Sequence, residues 1–344
     1  MLPRTPSAER LVAIDRPCRY HGPDEAVEPL AGGGKDMTTI VISEFMDEAA
    51  VADLRDRHAT LYDPTLVDRP NDLAVAVAEA RALIVRNRTQ VRGALLDAAT
   101  RLEVVGRLGV GLDNIDMEAC ARRGIKVFPA TGANDLAVAE YVITTAAMLL
   151  RGAYAAREHM LAGEWPRNDL MGRELAGKTM GLVGLGAIAR LVKEKALALG
   201  MTVAAHDPFV PNGDGAWDRV RQRPLDALFA EADVLSLHVP LTDGTRNLVD
   251  ARAIASMKPS AILINAARGG VVDEPALAEA LRAGRLGGAA LDVFATEPLT
   301  KAAATVFAGV PNLILTPHIA GVTQESNVRV SSLIATRVLA ALAG

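Results

Sequence analysis

The chain has 344 residues, half of them hydrophobic and 23% charged, with a formal net charge of −4. That composition fits a globular protein with material for about two domains, and the acidic balance argues against general affinity for nucleic acid or an anionic membrane. Two cysteines, Cys18 and Cys120, are too few for a disulfide framework and lack metal-ligand spacing, so no metal is expected and a reducing, cytoplasmic setting fits.

Residues 1–36 carry three prolines before Gly22, a run Gly32-Gly33-Gly34 and mixed charge without sustained periodicity. They lack the apolar stretch of a secretory signal and are expected to form a disordered extension. No apolar run approaches the roughly 18 residues of a membrane span. From Met37 the pattern alternates. Ile40–Ser43 reads as a strand, Asp47–His58 as a helix, Ala82–Arg86 as a strand, Val91–Ala99 as a helix and Leu102–Gly106 as a strand. A short helix follows Asn114, then a strand over Lys126–Phe128. Asp135–Leu150 is a long helix, apolar all round, of the kind that crosses between domains or forms a dimer seam. Its alternative is a helix buried within one subunit.

Further on, Thr179–Val183 reads as a strand, Arg190–Leu199 as a helix and Thr202–Ala205 as a strand. After these come Val234–Leu237 (strand), Asp250–Met257 (helix), Ala261–Asn265 (strand), Glu274–Ala283 (helix), Gly288–Val293 and Leu313–Thr316 (strands), and a final helix over Gln324–Leu342. Such alternation predicts an α/β protein with two doubly wound parallel-sheet domains around a cleft.

Between Val183 and the helix lies Gly184-Leu185-Gly186-Ala187-Ile188-Ala189, and an acid, Asp207, follows the next strand. Strand, glycine turn, helix, strand and acid are the parts of a dinucleotide-binding unit. Gly184 allows the tight turn, and Gly186 lets a pyrophosphate approach the backbone. Ala189 stands at the third glycine position and still permits close helix–sheet packing. The helix start offers unpaired N–H groups to phosphate. Asp207 can accept hydrogen bonds from ribose hydroxyls and repels a 2′-phosphate, which predicts NAD rather than NADP.

Three later strands end in polar residues: Arg268 after Asn265, Glu297 after Asp292, and His318 after Thr316. Taken singly, these read as a surface ion pair, a loop acid and a structural histidine. Beside a dinucleotide site they form a working set. Histidine moves a hydroxyl proton near neutral pH, a carboxylate beside it stabilises the imidazolium, and arginine grips a carboxylate through two parallel bonds. Arg86, Arg88 and Arg107 also sit at the ends of neighbouring strands. Together they predict a pocket for a second anionic group on the substrate.

Several segments carry a specific resemblance. They are Gly106–Asp116, Val138-Ala139-Glu140, Gly177-Lys178-Thr179, His238–Thr242, Met257-Lys258-Pro259, Asn265–Gly270, Asp292–Pro298 and Pro317–Gly321. With these the chain from Met37 onward resembles the D-isomer-specific 2-hydroxyacid dehydrogenases, in the branch similar to D-3-phosphoglycerate dehydrogenase. The resemblance implies a Rossmann nucleotide domain over 137–316 and a flavodoxin-like substrate domain over 37–136 and 317–344. It implies Arg268, Glu297 and His318 as catalytic residues and backbone amides at Gly109 and Val110 as carboxylate donors. NAD contacts are implied at Ala187, Ile188, Asp207, Val239, Pro240, Ala266, Ala267, Asp292 and Gly321, and the assembly implied is a homodimer. Ile40–Glu48 and Arg86–Thr89 resemble the corresponding segments of sulfolactate dehydrogenases, which points to 3-sulfolactate or 3-phosphoglycerate ahead of dicarboxylates and simple lactate or glyoxylate. Alternatives are a glyoxylate/hydroxypyruvate reductase and an NAD-sensing, corepressor-like binding protein on the same fold.

Overall fold

The computed structural model describes residues 38–344, so the extension expected over 1–36 lies outside the described residues. Two parallel sheets organise the rest. The first contains β1 (Ile40–Ile42), β2 (Thr60–Tyr62), β3 (Ala82–Val85), β4 (Val104–Arg107) and β5 (Lys126–Pro129), in the order β2-β1-β3-β4-β5. The second contains β6 (Thr179–Val183), β7 (Thr202–His206), β8 (Val220–Gln222), β9 (Val234–Leu237), β10 (Ile262–Asn265), β11 (Gly288–Leu291) and β12 (Leu313–Leu315), in the order β12-β11-β10-β9-β6-β7-β8. The orders are those of flavodoxin-like and dinucleotide-binding sheets, the second with one strand added at its edge. Strand order reverses at β1/β3 and at β6/β9, where ligands settle beyond the carboxyl ends of the strands.

Both sheets are buried on both faces, which is why their strands read as continuous apolar runs rather than alternating ones. In the second sheet Met180, Leu182, Val203, Ile262 and Ile264 pack on one side with the helix Asp135–Arg151 through Ala139, Val142, Ala146 and Leu150. Leu235, Leu237, Leu263 and Leu291 pack on the other side. In the first sheet Ile40, Ile42, Ile84 and Val104 meet Val330, Ile334 and Val338 of the C-terminal helix Gln324–Leu342. Gly106 makes that approach possible, since a Cβ there would lie 2.6 Å from Ile334 Cγ2.

The alternating pattern is as read, but short elements were missed. β2 and β8 are three-residue edge strands, and the helices Pro70–Val77 and Leu225–Glu231 are eight and seven residues long. The helix after the glycine turn begins at Ala187, not Arg190, because Gly186 is extended and serves as its N-cap. Ala187, Ile188 and Ala189 therefore form the first helical turn and bring its N–H groups closer to the glycine loop. The helix Asp135–Arg151 is not apolar all round. Leu136, Glu140, Thr144 and Met148 form an exposed stripe, and Glu140 pairs with Lys195 at 3.2 Å.

Candidate active site

Beyond the carboxyl ends of both sheets lies a cleft of about 350 Å³. The segments after β3, β4, β6, β9, β10, β11 and β12 all contribute to its walls. Of the residues singled out in the sequence, Arg86, Arg107, Gly109, Val110, Gly186, Ala187, Ile188, Val239, Pro240, Ala266, Ala267, Arg268, Asp292, His318 and Gly321 line it.

The glycine turn fits a dinucleotide. Gly184 has φ +90°, and a Cβ there would sit 2.5 Å from the His238 carbonyl oxygen, so only glycine closes this turn. A Cβ on Gly186 would meet nothing within 4 Å, which leaves the backbone open to a phosphate group. Asp207, outside the cleft lining, braces the loop: it accepts the Leu185 N–H at 2.7 Å and the Phe209 N–H at 2.8 Å, one on each oxygen. A carboxylate offers about four acceptor sites, so both oxygens keep capacity for ribose hydroxyls.

Glu297 stands behind His318 and outside the cleft lining, its Oε2 2.7 Å from His318 Nδ1. That contact leaves Nε2 as the ring nitrogen for a ligand. Burial raises the Glu297 carboxyl, but the His318 hydrogen bond, the Phe294 N–H at 3.0 Å and the Arg268 charge together hold it below the usual carboxylate range. His318 has φ +56°, a left-handed backbone that costs about 1–3 kcal/mol in a non-glycine residue and clusters at functional sites. Asp292 holds this turn in place. Its buried carboxylate accepts the Thr316 hydroxyl at 2.6 Å and the Ile319 and Ala320 N–H groups at 2.8 Å, and its carbonyl accepts the His318 N–H.

Arg268 reaches across the cleft. Its Nε donates to Asp113 Oδ2 at 3.0 Å and its Nη1 to the Ala267 carbonyl at 2.6 Å. Nη2 lies where a Cβ on Gly111 would be, so that glycine is a notch for the guanidinium. Gly109 is a second notch, filled by Arg107. Two guanidiniums thus lie against the 109–111 backbone. Arg107 is half-buried, and its Nε has no hydrogen-bond partner among the described residues. Burial, then the nearby Arg268, lowers its pKa to about 10, still a cation at neutral pH. Arg86 Nη2 donates to Asn327 Oδ1 at 2.7 Å, and its guanidinium lies over the Phe45 ring.

Two expectations need correction. Arg88 does not line the cleft: its guanidinium pairs with Asp68 on the exposed side. The Gly109 N–H turns back to the Arg107 carbonyl at 2.8 Å, so of the two expected carboxylate-binding amides only that of Val110 has no such partner among the described residues. Asn87, Asp113, Asn134 and His238 line the cleft and were not singled out as site residues. Asn134 carries a buried Oδ1 without a partner among the described residues. His238, half-buried beside Ser236 Oγ, is lowered by burial to about 4 and is neutral.

Comparison with known proteins agrees with this geometry. Residues 143–320 match the family model described as "D-isomer specific 2-hydroxyacid dehydrogenase, NAD binding domain". A protein of Chromohalobacter salexigens named (S)-sulfolactate dehydrogenase is 57% identical over 307 residues, covering 89% of this chain and 99% of that one. A D-3-phosphoglycerate dehydrogenase of Mycobacterium leprae is 39% identical over 311 residues, covering 90% of this chain; the match spans only 58% of that longer protein. The crystal structure of D-lactate dehydrogenase from Aquifex aeolicus with NAD and lactic acid superposes with a TM-score of 0.80 at 28% identity, covering 89% of this chain and 96% of that one. The chain belongs to the D-isomer-specific 2-hydroxyacid dehydrogenase family and is an NAD-dependent oxidoreductase of 2-hydroxy acids.

Proposed function

We propose that the substrate is a D-2-hydroxy acid with a second strong anion on C3, of the 3-sulfolactate or 3-phosphoglycerate type, interconverted with its 2-keto acid. The observation that carries this reading is Arg107, a half-buried cation that lines the cleft with Arg86 and whose buried Nε has no hydrogen-bond partner among the described residues. A desolvated guanidinium costs stability unless an anion meets it. The name of the 57% identical relative agrees. In the naming rules the sulfur-bearing carbon outranks the carboxyl carbon, whereas a methyl does not, so an (S)-sulfolactate has the same spatial arrangement as D-lactate.

The roles follow from position. Arg268 and the Val110 N–H hold the substrate carboxylate and fix C2 against the cofactor face of the cleft. His318 Nε2 takes the hydroxyl proton in oxidation and returns it in reduction, while Glu297 orients the ring and balances the imidazolium. Bound NAD supplies the hydride acceptor. Pyruvate is expected to be a much poorer substrate than 3-sulfopyruvate or 3-phosphohydroxypyruvate, and Arg107→Ala or Arg86→Ala to raise KM for the charged acids by about tenfold or more, as for a lost charge-assisted bond. Equal use of pyruvate, or unchanged KM in both variants, rejects the pocket.

Asp207 leads to a preference for NADH over NADPH, tested by comparing kcat/KM for the two. Parity would reject its role as the ribose acceptor. A homodimer is supported by the segment after the long helix, where Tyr154, Leu161, Trp165 and Met171 are each more than two-thirds exposed. Large apolar side chains left this exposed along one segment are what an interaction surface presents. Light scattering at micromolar concentration is expected to give twice the chain mass; a monomeric mass rejects the dimer.

A further inference from the structure

Beneath the arginine pair is an acid that the reaction does not use. Glu44, 5% exposed at the end of β1, accepts the backbone N–H groups of Arg86 at 2.8 Å, Thr89 at 3.0 Å and Arg88 at 3.2 Å. All three partners are donors, so it acts as a carboxylate. Asn114 Nδ2 in turn donates to the carbonyls of Arg86 at 3.0 Å and Thr89 at 2.7 Å. The turn carrying Arg86 and Asn87 into the cleft is therefore gripped by two buried side chains. Glu44 also lies close enough to Arg86 and Arg107 for its charge to favour the cationic form of both, against their burial.

We infer that Glu44 sets the charge of the second-anion pocket, so that it selects a singly charged sulfonate over a doubly charged phosphate. Two guanidiniums against one carboxylate leave one net positive charge. A sulfonate carries one negative charge at any working pH, whereas a phosphate monoester carries nearly two above its second pKa of about 6. Its extra charge would be repelled by the buried Glu44 carboxylate, which lies behind the arginines that line the cleft. Of the surrounding ionisable groups, Asp135 lines the same cleft with its carboxyl raised by burial; it is common to the parent and to Glu44→Gln, so comparing the two isolates Glu44. Arg268 is paired with Asp113, burial pushes Tyr62 up so that it stays neutral, and Glu48 and Arg55 are exposed. His318 acts on both substrates alike. The inference rests on the second-anion pocket proposed above.

The test measures kcat/KM for 3-sulfopyruvate, 3-phosphohydroxypyruvate and pyruvate from pH 5 to 8 with the whole enzyme. The sulfonate-to-phosphate ratio is expected to be about tenfold or more above pH 7 and to fall as the pH drops through about 6, where the phosphate becomes singly charged. Taking the ratio cancels the protonation of His318. Glu44→Gln is expected to lower the ratio at pH 7.5 by on the order of tenfold, mostly through KM, and Glu44→Asp to keep it. If Glu44→Gln does not fold, the wild-type pH series decides alone. A ratio that is flat with pH, or unchanged in a folded Glu44→Gln while both charged acids still outperform pyruvate, overturns the role of Glu44 alone. Pyruvate matching both acids overturns the pocket itself.

Discussion

His318→Ala is expected to lower kcat by about 10² to 10⁴ in either direction, the usual worth of a positioned acid–base group. The effect follows from the 2.7 Å contact between Nδ1 and Glu297, which leaves Nε2 as the proton carrier. Glu297→Gln separates the two partners. Reduction requires imidazolium, and the variant loses the negative charge that stabilises it. The alkaline limb of the reductive profile should therefore move to lower pH, and the acid limb of the oxidative profile should move the same way. Rates of both reactions across pH check this, and profiles superimposable on the parent's would break the pairing.

Gly111→Ala should be nearly as damaging as Arg268→Ala, with kcat/KM for the keto acid down by on the order of 10² to 10³ in each, the worth of two hydrogen bonds to charge. The alanine touches no reacting atom. Its Cβ would overlap Arg268 Nη2 and crowd Asp113 Oδ2, so the guanidinium must leave its notch. The Gly111 backbone is not left-handed, and what the Cβ meets is the end of a flexible side chain. The fold should survive, with thermal unfolding close to the parent's. Arg268→Lys should recover little, because a point charge cannot reproduce the planar fork. Wild-type efficiency in Gly111→Ala would show that the guanidinium is not needed where it lies.

The dinucleotide turn was legible because each of its parts leaves a mark on residue type: glycine for the positive φ of Gly184, small residues for the tight helix start, and an acid at the end of the next strand. Arg268, Glu297 and His318 were legible because strand ends are easy to find in apolar runs. Short edge strands were not, since β8 has polar, exposed residues and carries no periodic signal over three positions. The direction of Arg88 was also hidden. Residues two apart on a strand share a face, so Arg86 and Arg88 read as neighbours. The strand ends at Val85, however, and Glu44 captures the backbone beyond it, so Arg86 turns inward and Arg88 outward. Asn87, Asp113 and Asn134 sit in loops whose polar residues look alike until the cleft is assembled.

The packing of the helix Gln324–Leu342 on β1, β3 and β4 has a consequence for synthesis. A chain leaving the ribosome from its N-terminus completes the five-stranded sheet by about residue 129, yet the apolar face of Ile40, Ile84 and Val104, met early only by the helix Glu48–Arg55, stays partly uncovered until nearly two hundred more residues have emerged. The seven-stranded sheet, though later in sequence, has its covering helices on hand as it forms. Completion of the two lobes thus runs in the reverse of their order along the chain. In the interval the earlier lobe is the one that needs protection from aggregation.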